Sequence, residues 1–230
     1  MTKRSLALAP FLLLAATPAL AADAAHPTVI ELYQSQGCSS CPPANAQLNA
    51  IAGRADLLAL SFAVTYWDRL GWKDIFGHPA YTARQWDYAK AGGRGNVATP
   101  QFIVNGRGVV TGSNAAKVAA ALKQYDRGTT GPTLAFAAGK VIIGAARSSA
   151  PATVWLVRYD PRTHNVPIRS GENGGRSLPH RNIVRGLWDI GGWTGKSASF
   201  AIPASKDPAM RSAILVQQGK GGPIVAALRI

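Results

Sequence analysis

The chain has 230 residues, of which 47% are apolar and 16% charged, and its formal net charge is +14. That apolar share excludes a disordered chain, and the length allows one large domain or two of ordinary size. The positive charge suits anionic lipid headgroups, envelope polysaccharide or acidic proteins as surface contacts, or serves solubility alone. No nucleic-acid-binding motif accompanies it.

Lys3 and Arg4 are followed by an apolar run from Leu6 to Leu14, broken only at Pro10, and then by Ala19-Leu20-Ala21. This order predicts a secretory signal over residues 1–21, too short for a membrane span. No later stretch approaches the ~20 continuous apolar residues of a spanning helix. The expected product is therefore periplasmic or secreted, with no membrane span, and it begins with a linker over 22–27. Residues 22–126 carry nine Lys or Arg against seven Asp or Glu, while residues 127–230 carry fourteen against four. Such asymmetry predicts two domains, over 28–127 and 128–230, with different partners.

Residues 29–33 read as a buried strand, β-branched and apolar apart from Glu31. Gln34 to Gly37 interrupts it, and the cysteine pair follows. Pro42 and Pro43 are tolerated only in the first turn of a helix, where backbone N–H groups have no intrahelical partner. They place a helix start at or just before Cys41, with the helix continuing over 44–52 to Gly53. Residues 57–65 form a second strand, parallel to the first because a helix intervenes. Residues 66–78 are aromatic and irregular, and 79–90 read as a helix. After the glycines at 92, 93 and 95 comes Thr99-Pro100. Asn105-Gly106-Arg107-Gly108 is then a hairpin signal between strands 101–104 and 109–111. Asn114 caps a last helix over 115–125. Beyond it the pattern changes to strands over 134–136, 140–146, 153–159, 197–202, 213–218 and 224–230, punctuated by Gly and Pro, which suits a β-sandwich.

Cys38 and Cys41 are the only cysteines. A disulfide across so short a loop removes little unfolded-chain entropy, roughly 2 kcal/mol. Zinc needs about four ligands, and no histidine lies at a metal-ligand spacing from the pair. Redox chemistry fits better. Cys38 at the helix mouth would feel the positive end of the macrodipole, which favours thiolate. It is expected to be the exposed nucleophile, with Cys41 the shielded resolving thiol. A purely structural bond is the alternative.

Thr99-Pro100 is a candidate cis peptide whose preceding residue is free to pair with an extended substrate. If the two parallel strands end at one sheet edge, Tyr66, Trp67 and Asp68 stand near the cysteines. The aromatics would then line a groove and Asp68 would accept the proton of the resolving thiol, or the aromatics pack a loop while Asp68 faces water. Glu31 is a second candidate proton acceptor, or else pairs with a surface Arg. Glu172, Asn173, Arg176, His180, Arg181, Asn182 and Arg185 crowd one stretch. They present polar groups to the first domain or a ligand, or form a solvated basic loop.

These blocks carry a resemblance. Gln36-Gly37-Cys38-Ser39-Ser40-Cys41-Pro42-Pro43, Tyr66-Trp67-Asp68 with Leu70-Gly71-Trp72-Lys73-Asp74, and Thr99-Pro100-Gln101 with Val104-Asn105-Gly106 resemble the secreted family DUF1223 of Gram-negative bacteria. Gly171-Glu172-Asn173, Gly175-Arg176 and His180-Arg181-Asn182 are similar to it too. The resemblance implies a thioredoxin-like fold whose dithiol and cis-proline map onto Cys38, Cys41 and Pro100. The expected fold class is an α/β thioredoxin-like N-terminal domain with a helical insertion, followed by an all-β, sandwich-like C-terminal domain. Familiar thioredoxins have Trp where this chain has Gly37, and Gly-Pro where it has Ser39-Ser40, and residues 66–95 look inserted. A restricted partner suits these departures better than a general reductase role. The expected function is an exported thiol–disulfide oxidoreductase acting on an envelope protein, with no cofactor and no metal. The alternative is a redox-inert binding protein whose basic β domain docks an anionic envelope component.

Overall fold

The computed structural model of the protein describes residues 21–230; residues 1–20, which hold nearly all of the expected signal segment, lie outside them. Strand β1 (Thr28–Gln34) is buried along its whole length. Its even-numbered Ile30 and Leu32 pack with Ala44 and Leu48 of helix α1 (Pro42–Ile51). Its odd-numbered Val29 and Tyr33 pack with Leu58, Leu60 and Phe62 of β2 (Leu57–Ala63) and with Tyr81 and Tyr88 of α2 (Pro79–Ala91). A strand covered on both faces has no polar side to show, and hence reads as an apolar run rather than an alternation.

β2 runs parallel to β1, with Thr28 opposite Leu57 and Gln34 opposite Ala63. β3 (Gln101–Val104) lies antiparallel on the other side of β1, and β4 (Gly108–Thr111) follows it. The turn between them needs positive φ at Asn105 (46°) and Gly106 (67°). Gly106 is also required by proximity, since a Cβ there would collide with the Gly222 carbonyl. Helix α3 (Ala115–Gln124) begins where the Asn114 side chain accepts the Lys117 N–H at 3.0 Å. Asn114→Ala should lower the unfolding free energy by about 1 kcal/mol, measured by urea titration, because that donor loses its partner.

The second half departs from a separate sandwich. Strands β7 (Ala152–Asp160), β10 (Ile183–Trp193), β12 (Arg211–Gln218) and β13 (Ile224–Arg229) form an antiparallel set. β10 then joins the free edge of β2 in parallel, at Ile183 opposite Ser61. The result is one eight-stranded sheet in the order β13-β12-β7-β10-β2-β1-β3-β4. Asn182 fastens this junction: its side-chain amide donates to the carbonyls of Ala59 and Ala52, and its own carbonyl accepts the Ser61 N–H. A mixed α/β architecture with a large central sheet and few helices is what the chain adopts. The core clusters confirm the continuity, since Phe62 and Tyr81 share one with Val157, Val184 and Leu215.

A sandwich-like layer exists only locally. β5 (Leu134–Ala137), β6 (Lys140–Ile143) and β11 (Ala198–Ala201) form a small sheet whose Val141 and Ile143 pack on Val154, Leu156, Ile214 and Val216. β8 (His164–Pro167) and β9 (Ser177–His180) form a separate hairpin, which lies against α1 and Phe76. Its connecting segment reaches the cysteine pair. Among the described residues no helix is long and apolar enough to cross a membrane.

Candidate functional site

β1 ends at Gln34, and the chain turns through Ser35, Gln36 and Gly37 before Cys38. Two successive turns follow, Cys38 N–H to Ser35 O and Cys41 N–H to Cys38 O, both at 3.1 Å. Cys41 is the N-cap of α1, with prolines in the first turn and no side-chain cap. The cysteines are joined as a disulfide, with their Cα atoms 5.4 Å apart. The expectation of an exposed Cys38 does not hold: both cysteines are 0% exposed. Only the intervening Ser39 and Ser40 reach the surface. Two segments, one from each half of the chain, pack against this turn.

The first is residues 66–76. Gln101 of β3 pairs with Tyr33 of β1, so Thr99 and Pro100, joined by a cis peptide bond, continue alongside the end of β1. The Trp67 indole N–H donates to Thr99 Oγ1 at 2.7 Å. Trp67 Cβ also lies close to Gly37, where an added Cβ would stand 3.4 Å from it. Trp67 therefore bridges the cysteine turn and the cis-proline turn, while the Tyr66 hydroxyl donates to Gln85 of α2 at 3.3 Å.

Asp68 is not brought to the sulfurs. Its Oδ1 accepts the Asp74 N–H at 3.1 Å and so organises the 68–74 turn. Asp74, not among the candidate site residues above, instead reaches the turn ahead of the pair: its Oδ2 accepts the Gln36 N–H at 2.7 Å and its Oδ1 the Phe76 N–H at 2.9 Å. Burial pushes this carboxyl up to about 6. Trp72 donates its indole N–H to Gln36 Oε1 at 2.9 Å. No signal within either segment could have found the Asp74–Gln36 contact, because its partners are 38 residues apart.

The second segment is the β8–β9 connection, residues 168–176. Asn173, fully buried, donates to the carbonyl oxygens of Gln36 at 2.8 Å and Cys38 at 2.9 Å. Glu172 Oε2 accepts the Ser39 N–H at 3.0 Å, and this contact holds its carboxyl below the ordinary range. Arg176 stays within the strap, donating to Asn173 Oδ1 at 2.7 Å. The Ser170 hydroxyl donates to Gly71 O at 2.6 Å, which ties the strap to the aromatic segment.

His180 sits behind the helix mouth, also fully buried. Asn45, one turn into α1, donates to its Nδ1 at 3.1 Å, which leaves the ring proton on Nε2, an atom with no hydrogen-bond partner among the described residues. Burial pushes its pKa down to about 4, so the ring is neutral at physiological pH. Glu31 lies elsewhere. It is on the α2 face of β1, where Arg84 pairs with it at 2.8 Å, so its partner is an interior arginine rather than a surface one.

The assembled site is a disulfide at the start of a helix whose first two residues, Pro42 and Pro43, carry no N–H and whose N-cap Cys41 N–H is bonded to Cys38 O. On reduction the positive end of the helix dipole favours a thiolate at Cys38. A carboxylate, that of Glu172, accepts the Ser39 N–H in the turn that leads into the helix.

A family model described as "Protein of unknown function (DUF1223)" matches residues 29–217. Among solved structures, an X-ray crystal structure of a protein from Agrobacterium tumefaciens is 32% identical, with a TM-score of 0.75 over 91% of this chain and 94% of that one. HBP35 of Porphyromonas gingivalis is 11% identical, with a TM-score of 0.57 over 92% of this chain and 76% of that one, a likeness of fold alone. No curated protein matches the chain.

Proposed function

The chain belongs to the DUF1223 family, and from the geometry around its cysteine pair we propose that it is an exported thiol–disulfide oxidoreductase acting on a protein of the cell envelope. The observation that carries this reading is the meeting of three elements: the pair at the first turn of α1, the cis Thr99–Pro100 peptide beside the end of β1, and Trp67 joining them. The local order β2-β1-β3-β4, with α1 between β1 and β2 and α3 after β4, supports a thioredoxin-like assignment for the first half. The signal-like first residues support export.

The chemistry balances as an exchange. In the reduced protein the Cys38 thiolate attacks a disulfide of the partner, forming a mixed disulfide and releasing one partner thiolate. The Cys41 thiol gives up its proton, attacks the Cys38 sulfur and releases the second partner thiolate. The pair ends as the Cys38–Cys41 disulfide, and the partner has gained two electrons and, on protonation, two protons. Run backwards with a partner dithiol, the same steps oxidise the partner.

Cys41→Ser should trap the intermediate. Expressed with its native leader, this variant is expected to give a reductant-sensitive adduct on non-reducing gels, which the Cys38→Ser/Cys41→Ser protein does not give. Absence of any adduct, with no insulin reduction and no oxidative refolding by the wild type, overturns the reading.

The zero exposure of both cysteines favours a second reading, in which the bond is inert and the basic surface of the second half docks an anionic envelope component. A reduction potential well below about −300 mV decides for it; a value near those of known exchange catalysts decides for turnover.

A further inference from the structure

Resting on the exchange reading, we propose that Asn173 and Glu172 are positioning residues of the cysteine pair: the 168–176 strap is a displaceable cover whose hold on the helix mouth sets how readily Cys38 reacts. Asn173 bonds the carbonyls of Gln36 and Cys38, and Glu172 bonds the N–H of Ser39. The strap thus grips the chain on both sides of the nucleophile. Its two grips differ in kind. Asn173 is buried, whereas Glu172 is exposed and held at its tip by one backbone donor. A partner that displaces the strap first meets the exposed grip.

Glu172 also acts electrostatically. Glu172 accepts the N–H of Ser39, the residue that follows Cys38, and so sets a like charge against the turn in which a Cys38 thiolate would form. α1 itself brings no charged residue within its span. The other charged groups on the segments packed against the pair are Arg169 and Arg176 on the strap, the second bonded to Asn173, and Asp68, Arg69, Lys73 and Asp74 on the 66–76 segment. His180, on β9, is neutral and reaches α1 through Asn45. Of these groups Glu172 alone is bonded to the Cys-Ser-Ser-Cys turn, so it is the carboxylate whose removal should change the thiolate most.

The test uses Cys41→Ser protein, which has Cys38 as its single thiol, and follows iodoacetamide alkylation against pH. Each profile has a midpoint, set by charge, and a high-pH plateau, set by access. Adding Glu172→Gln should move the midpoint to lower pH and speed alkylation at pH 7 about three-fold. Glu172→Ala should move it further, since the acceptor also goes. Asn173→Ala should raise the plateau about ten-fold, as two buried hydrogen bonds that close the strap are lost. Profiles that superimpose on the parent in both parameters overturn the proposal. If Asn173→Ala fails to fold, the Glu172 variants, altered at an exposed side chain, decide alone. Alkylation needs no partner, so the two readings fail separately. Trapping with superimposed profiles removes the strap's role only, and shifted profiles with nothing trapped remove the exchange.

Discussion

Arg84→Met should lower the unfolding free energy by about 3–5 kcal/mol, the cost of leaving a buried carboxylate without its counter-charge. Glu31 is fully buried in the middle of β1, and Arg84 on α2 is 5% exposed. Two guanidinium nitrogens, Nε and Nη2, donate to Glu31 Oε1 at 3.1 and 2.8 Å, and Nη2 also reaches the Tyr88 hydroxyl at 2.9 Å. Nη1 donates to Gln217 Oε1 on β12 at 2.9 Å, and the guanidinium plane lies over Trp155 of β7, 5.3 Å from its ring centroid. One arginine on an N-terminal helix therefore pairs with a carboxylate on β1, hydrogen-bonds Gln217 and lies over the ring of Trp155, the last two from the second half. Methionine fills the space but answers none of these groups. Glu31→Gln/Arg84→Met removes the stranded charge and should recover more than half of the loss, because a buried pair replaced as a unit costs far less than a pair broken. Urea titration of the three proteins gives the answer. Equal destabilisation by the single and double variants would mean that packing, not charge, dominates at this position. The unfolding transition should also remain single, because this contact sits within a core that both halves share.

That shared core explains which parts of the molecule were legible from sequence. The elements of the first half could be read because local rules fix them: prolines at the start of α1, an Asn cap on α3, Asn-Gly in the β3–β4 turn. The strand β10 was not legible, although at eleven residues it is the longest element in the sheet. Register shifts at Val184/Gly186 and Asp189/Gly191 break its alternation, and its glycines at 186, 191 and 192 read as punctuation. With β10 missing, nothing linked the remaining strands to β2, and an independent β domain was the simplest arrangement of them. The strap could be read two ways, as a contact with the first half or as a solvated loop, for a related reason. Its charges and glycines describe a solvated loop equally well. Only the β8–β9 hairpin, whose strands are four residues each, carries Asn173 to the cysteine turn 135 residues away. The cysteine pair itself was legible, since its spacing and the following prolines are local. Its burial was not, because the covering groups come from residues 66–76 and 168–176.

Two buried titrating groups support the elements on either end of the cysteine turn, Asp74 at Gln36 and His180 at Asn45, and they should make stability almost independent of pH between 6 and 4.5. His180 has a folded-state pKa of about 4 against an ordinary 6.5. Between those values the unfolded chain binds a proton that the folded chain refuses, so acidification destabilises. Asp74 works in the opposite sense: its folded-state pKa of about 6 lies above the ordinary 3.8. The folded chain holds a proton that the unfolded chain releases, so acidification stabilises. Each term changes by about 1.4 kcal/mol per pH unit, and in the wild type they oppose one another. His180→Gln, which keeps an acceptor for Asn45, should leave the Asp74 term alone, and stability should rise by about 1.5 kcal/mol from pH 6 to 4.5. Asp74→Asn should show the reverse, a loss of similar size. The relevant neighbours are His164, whose charge further disfavours a charged His180, and Asp68, which further disfavours an ionised Asp74. The carboxyls held below their ordinary range by hydrogen bonds, Asp56, Asp126 and Asp160 among them, lose their contribution at more acid pH and so leave this window clear. Parallel stability–pH curves for wild type and both variants would contradict the assignment. Opposite slopes would place a neutral imidazole behind the helix mouth and a protonatable carboxyl beside Gln36, so that acidification weakens one support of the cysteine turn while strengthening the other.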